Sequence, residues 1–353
     1  MKIFKRATKL IGILIVIIGL FLGIKFTIKQ YTYSKDIESL NNTVLGIEIK
    51  LSDLEEAKTL QQGQVQSKRL IDLSKIDPLW KKFAKDGVLK DNFKYLDDID
   101  FFVITYKSDS LLVNGIIAEP KKEGEFPVII FNRGGNKEIG KGAKLKTLYS
   151  LIYSASKLVK EGYVVIASCY REDDEFGGND INDVLNLTKT IKELQKVNSE
   201  HIGMFGWSRG GMMTYLALKK LDIIKTAVIG NGPTDLVQLI IERPEMETEV
   251  CAKLIPNYKK NKKQELEKRS VLYWVDELDK NASLLILCGT EDKKVNPNQA
   301  EKIAKKLAEI KYDFRLKKFK TDHKFSKKTE ELNELIINWF NTKLKKKLNT
   351  KSY

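Results

Sequence analysis

From Asp100 onward the chain alternates short apolar, β-branched runs with longer stretches whose apolar residues recur at helical spacing. That alternation predicts strands joined by helices, the pattern of a mainly parallel sheet with helices on both faces. Eight strands are predicted: Phe101–Tyr106, Leu111–Ala118, Pro127–Asn132, Tyr163–Ser168, Ile202–Trp207, Thr226–Gly230, Leu284–Cys288 and Phe314–Phe319. The first two are close together and read as an antiparallel hairpin. Helix-length segments such as Ile181–Leu194 and Gly211–Leu221 separate later ones. Upstream, Tyr31 to about Asp100 is polar, with Asp53, Glu55, Glu56 and Lys58 at helix-compatible spacing. Within it, Asp77-Pro78 before Leu79-Trp80-Lys81-Lys82-Phe83 predicts a helix capped by Asp77, with Pro78 in the first turn. Residues 29–100 are therefore read as a helical stalk and pre-domain, and residues 101–346 as the main domain.

The N-terminus has a different pattern. Met1 to Lys9 carries Lys2, Lys5, Arg6 and Lys9 without an acid, and Leu10 to Ile24 then runs without a polar side chain. A run of about 15 apolar residues, extended by Phe26 and Ile28 and flanked by lysines that can snorkel, predicts a membrane helix over residues 1–28. No small-residue cleavage site follows, so an uncleaved anchor is expected, with a cleaved signal peptide as the alternative. The basic flank keeps the N-terminus in the cytoplasm, and under either reading the rest of the chain lies beyond the membrane.

Composition changes this picture little. With 42% hydrophobic and 31% charged residues in 353, the chain is globular rather than disordered. The net charge of +15 is spread along the chain, apart from a dense run at Lys343, Lys345, Lys346 and Lys347 leading into a basic tail at 347–353. No basic helix interleaved with aromatics and no zinc-ligand spacing occurs, so nucleic acid is not an expected partner. Cys169 and Cys288 lie within apolar runs and Cys251 adds an odd third, which reads as buried thiols rather than a disulfide framework. No metal cluster, nucleotide loop or flavin fingerprint is present, and no cofactor is expected.

The chemistry centres on Gly206-Trp207-Ser208-Arg209-Gly210-Gly211, which follows an apolar strand and precedes a helical pattern. Gly-x-Ser-x-Gly in that context is a sharp strand-to-helix turn that lifts a serine to the C-terminal edge of a sheet. The small residues let strand and helix approach closely, and the Arg209 N–H at the helix start points where an oxyanion would form. Ser208 needs a base, and the chain holds only two histidines. His201 precedes the Ser208 strand and lies at the wrong end of the sheet. His323 follows the last strand, on the serine's edge, and is the expected general base and acid. Asp292, directly after the Leu284–Cys288 strand, is the acid expected to orient it, with Glu291 as the fallback. The order Ser208, Asp292, His323 is that of α/β-hydrolases, whose fold also matches the predicted strands. A second oxyanion donor is expected from Gly134 or Gly135 in the loop after the third strand, with Asn136 close by.

From about Phe101 to Leu344 the chain resembles the catalytic domain of the prolyl oligopeptidase family of serine peptidases. The resemblance is carried by the Ser208 turn, by Gly289-Thr290-Glu291-Asp292-Lys293-Lys294-Val295 and by the Asp322-His323 loop. Arg171, Phe176-Gly177-Gly178, Asp180 and Arg269-Ser270 add to it. It implies an α/β-hydrolase domain, a Ser208–Asp292–His323 triad, and cleavage of bonds in short peptides or small ester and amide analogues. Better-known members carry a large N-terminal β-propeller, for which residues 29–100 leave no room, and Arg133 stands where a histidine is common. The loop at 170–176 follows the fourth strand, so Asp174 or Glu175 is a candidate for binding a substrate's amino terminus. Trp207 and Arg171, among the residues that carry the resemblance, are further candidate substrate contacts. Between Gly232 and Trp274 two helical stretches are expected to cap the site. Competing functions are a carboxylesterase without peptidase activity and a catalytically inactive, membrane-anchored binding module on the same fold.

Overall fold

Consecutive apolar side chains can all be buried only where a strand is covered on both faces, and the central strands form at such runs. The computed structural model describes residues 49–50, 58–135 and 143–345. Numbering only strands longer than two residues, it contains β1 (Val65–Leu70), β2 (Ile99–Ser108), β3 (Leu111–Pro120), β4 (Phe126–Asn132) and β5 (Val164–Ser168). These are followed by β6 (Val197–Trp207), β7 (Ile224–Gly230), β8 (Ser283–Gly289) and β9 (Phe314–Phe319). Their order across the sheet is β9-β8-β7-β6-β4-β5-β3-β2-β1, with the two-residue strand Ile49–Lys50 paired against β3. Strands β4 to β9 are parallel, and β1, β2 and β3 pair antiparallel with their neighbours.

The helices of seven or more residues are α1 (Asp77–Phe83), α2 (Ala143–Lys160), α3 (Ile181–Thr190), α4 (Arg209–Leu218), α5 (Leu236–Glu242), α6 (Tyr258–Lys268), α7 (Asn298–Glu309) and α8 (Thr329–Phe340). Side chains alternate across the sheet as the pleat requires: Val128 and Ile130 of β4 enter one core, Ile129 and Phe131 the other. The first core is closed by α3, α4 and α7, the second by α1, α2 and α8. Each Leu or Ile buried there contributes about 1.5–3 kcal/mol. The chain runs from β4 to β5 and returns to β6 on the far side of β4. Hence α2, leaving β4, and α4, leaving β6, pack on opposite faces. A crevice opens between them at the carboxyl ends of those strands, where open α/β sheets bind ligands.

All eight predicted strands are present, but the sheet has ten strands. The reading of residues 29–100 as a separate helical pre-domain is corrected over the described part. Five of the six residues of β1 are exposed, so the segment has no apolar periodicity; backbone bonding to β2 places it at the sheet edge. Ile76, Leu79 and Phe83 are buried in the second core, where Phe83 packs 6.0 Å from the Tyr149 ring of α2. The α1 start also differs: Ile76 precedes the helix without a side-chain cap, and Asp77 is its first residue, paired with Lys81 one turn on. Among the described residues no helix is long and apolar enough to cross a membrane. The expected anchor at 1–28, Asn136 and the basic tail at 347–353 lie outside the described residues.

Candidate active site

β6 ends at Trp207 and α4 begins at Arg209, leaving Ser208 alone between them at φ 54° and ψ −122°. A non-glycine residue in that region costs about 1–3 kcal/mol and persists only where its surroundings over-determine it. Here the Ser208 N–H donates to the Gly230 carbonyl at 2.8 Å, and the Ser208 carbonyl accepts from the Gly211 N–H at 2.8 Å. The turn needs its glycines for space. A Cβ on Gly206 would strike the Gly210 carbonyl, and one on Gly210 would strike the Asn132 carbonyl. Gly134 runs directly against the serine: a Cβ there would sit 3.2 Å from Ser208 Cβ. The β4 loop and the N-terminus of α4, whose first N–H groups have no partner within the helix, therefore meet at Ser208.

Asp292 and His323, the expected acid and base, follow the last two strands, β8 and β9. Asp292 follows β8 in a tight turn, and its Oδ1 accepts from the N–H groups of Lys294 at 2.7 Å and Val295 at 3.1 Å. Its Oδ2 lies 2.6 Å from His323 Nδ1, in the loop after β9. A carboxylate can only accept, so Nδ1 carries the proton and Nε2 is left with its lone pair. The Asp292 side chain is fully buried, while 11% of the His323 side chain is exposed and the residue lines the cavity. Glu291, the alternative acid, is exposed. Asp322 is turned away, bonded to the N–H and hydroxyl of Ser326 at 2.9 Å each, and the first of these bonds holds its carboxyl below the usual range. His201 bonds Asn198 through Nδ1, far down β6.

One residue at this junction escaped the sequence reading. Asn231, buried just past β7 at φ 45°, donates its N–H to the Leu287 carbonyl at 2.9 Å. Its Oδ1 accepts from the Gly289 N–H at 2.9 Å and its Nδ2 donates to the His323 carbonyl at 3.0 Å. It thus clamps the end of β8 to the loop that carries the histidine. The left-handed turn was legible in Gly230-Asn231-Gly232-Pro233, but its distant partners were not.

The candidate substrate contacts divide. Trp207 lines the cavity, its ring edge-on to Phe325 at 5.1 Å. Arg171 does not: it is buried against Asp183 at 2.6 Å and Asp109 at 2.7 Å. Asp174 pairs at 2.6 Å with Arg209, which also holds Asp180 at 2.8 Å. Glu175 accepts from the N–H of Asn179 at 2.7 Å and from its side-chain amide at 3.0 Å. Asp174 and Glu175, the candidates for binding a substrate's amino terminus, are not among the residues that line the cavity. These acids are spent on holding the loop and the start of α4. Arg133 is likewise structural, its guanidinium bonding the Thr147 hydroxyl at 2.8 Å and the Cys169 carbonyl at 3.0 Å.

Ser208, Arg209, His323, Gly134, Gly135 and Trp207 all line one cavity of about 760 Å³. That size suits a ligand of a few residues or a small ester. Leu239, Met246 and Val250 supply an apolar wall, so the first half of the stretch after Gly232 borders the site, whereas α6 does not.

A serine at a strained strand-to-helix turn, on a mostly parallel sheet wound in this order, defines a serine hydrolase of the α/β-hydrolase fold. Within that class the chain belongs to the prolyl oligopeptidase family, whose sequence profile matches residues 169–347, half of the chain. It is 24% identical over 219 residues to the uncharacterized peptidase YtmA of Bacillus subtilis, spanning 60% of this chain and 81% of that protein. Among solved structures it is similar to the acylaminoacyl peptidase of Pyrococcus horikoshii, with a TM-score of 0.59 and 22% identity over 74% of this chain. The chain spans only 45% of that peptidase's length. It is also similar to esterase B of Lactobacillus rhamnosis, with a TM-score of 0.58 and 14% identity, covering 73% of this chain and 91% of the esterase.

Proposed function

We propose that the protein cleaves peptide bonds, or small amide and ester bonds, through an acyl-enzyme formed on Ser208. Carrying this reading is the 2.6 Å contact between Asp292 Oδ2 and His323 Nδ1, in a histidine that borders the same cavity as Ser208. His323 Nε2 takes the proton as Ser208 Oγ attacks the substrate carbonyl, and Asp292 stabilises the imidazolium that forms. The N–H groups of Arg209 and of Gly134 or Gly135 receive the oxyanion; one such donor is typically worth about 10²–10³ in rate. Collapse of the intermediate breaks the bond to the amine or alkoxide, which leaves with the proton from His323. Water, deprotonated by the same imidazole, then attacks the acyl-serine and releases the acid.

Family membership favours a peptide over a simple ester. A panel of aminoacyl amides and short-chain esters separates the peptidase from the esterase reading. The primary test is labelling with a fluorophosphonate, which should modify the wild type and spare Ser208→Ala. Folded wild-type protein that resists the probe would instead be an inactive binding module.

A further inference from the structure

We infer that the Arg209 side chain and Tyr170 are positioning residues, which lock the peptide planes whose N–H groups receive the oxyanion. The inference rests on the hydrolase reading above and adds to it how the oxyanion donors are aimed. In a trans peptide the carbonyl and the following N–H point in opposite directions, so a held carbonyl aims the next N–H. The Arg209 N–H is aimed in this way by the Ser208 carbonyl, which accepts from the Gly211 N–H. On the β4 side, the Tyr170 hydroxyl donates to the Arg133 carbonyl at 3.3 Å and so aims the Gly134 N–H. Arg133 Nη1 donates to the Gly134 carbonyl at 3.2 Å, which aims the Gly135 N–H. The Arg209 guanidinium then reaches from α4 to the Gly135 carbonyl at 3.4 Å, tying the β4 loop to the residue that follows Ser208.

Arg209 is itself held by the loop that Tyr170 opens. Asp174 takes both terminal nitrogens, Nη1 at 2.6 Å and Nη2 at 2.7 Å, and Asp180 takes Nη2 at 2.8 Å. The guanidinium lies over the rings of Tyr170 at 4.8 Å and Phe176 at 5.2 Å, and that of Arg133 lies over the Tyr170 ring at 4.9 Å. All three charged side chains of the cluster, Arg209, Asp174 and Asp180, are buried. Stability does not call for such a cluster: it forfeits the hydration of three charges, and apolar residues of equal volume commonly do as well or better. What it supplies is a rigid planar fork at the residue after the nucleophile. A lysine keeps the charge there but cannot reproduce the paired bonds to Asp174.

An octylthio trifluoromethyl ketone and the matching trifluoromethyl alcohol separate oxyanion recognition from substrate binding. The ketone adds Ser208 Oγ to its carbonyl carbon, the serine proton passes to His323, and the adduct stops as an oxyanion because nothing leaves. The alcohol has nearly the same shape and forms no adduct. Arg209→Lys should weaken ketone binding and lower kcat on p-nitrophenyl butyrate by a common factor of about 10–100. Its KM and its affinity for the alcohol should stay within about twofold of the wild type. Tyr170→Phe, which keeps the ring and deletes only the hydroxyl, should act in the same direction by about 3–10-fold and carries the test where Arg209→Lys fails to fold. The triple variant Arg209→Met/Asp174→Asn/Asp180→Asn removes all three charges, and it should melt near the wild type while still binding the ketone weakly. A triple variant that regains full ketone affinity would show that charge balance alone matters and overturn the inference. Equal losses on ketone and alcohol, or unchanged ketone affinity in Tyr170→Phe, would do the same while leaving the hydrolase reading intact. A folded wild type that no fluorophosphonate labels removes the hydrolase reading, and the positioning role with it.

Discussion

Asn231→Gly isolates the clamp between the acid and base segments. Glycine keeps the positive φ of 45° without a steric penalty, so the substitution removes the side chain and its amide without straining the turn. Two buried hydrogen bonds disappear, the one from Gly289 N–H at 2.9 Å and the one to the His323 carbonyl at 3.0 Å. Each bond is worth about 1 kcal/mol net, and a stranded buried partner costs about 1–3 kcal/mol where water cannot reach it. With partial hydration from the cavity the expected loss is about 2–4 kcal/mol, or roughly 3–5 °C in melting temperature for a chain of this size. The catalytic effect should exceed what stability explains. Freeing the His323 loop loosens the base by a fraction of an ångström to an ångström, for which roughly 10–100-fold in kcat/KM is expected. Ester hydrolysis and the rate of fluorophosphonate labelling, both measured far below either melting transition, read this directly. A variant that melts earlier yet labels and turns over within twofold of the wild type would refute the positioning argument.

Asp292→Asn should lower kcat roughly 10³–10⁴-fold with little change in melting temperature, because an amide facing Nδ1 imposes the wrong tautomer; Glu291→Gln, at an exposed position, should act like wild type in the same assay. Gly210→Ala drives a methyl into the Asn132 carbonyl, which is backbone and cannot swing aside. It should cost at least about 1–3 kcal/mol in thermal unfolding and reduce labelling of the protein that still folds.

How far these residues could be located from the chain alone depends on what each position needs. The buried strands were legible because burial on both faces demands consecutive apolar residues, and β4 and β8 are apolar nearly throughout. β1 was not, because an edge strand exposed along its length is held by backbone groups, which every sequence possesses. The acidic loop illustrates the same limit. Asp174 and Glu175 read as free charges until Arg209, 35 residues away from Asp174, was found to occupy one of them.

What the sequence by itself determined is the winding of the sheet, the turn that isolates Ser208, and the chain order in which a serine, an acid and a histidine reach one edge. Those features are written in local periodicity and in residues whose size or backbone freedom no other type can replace. The tertiary structure alone decided which acid meets the imidazole and that Asn231 ties their two segments together. Such choices depend on contacts between segments far apart in the chain, and hydrogen bonds and charges select partners by distance in space rather than by separation in sequence.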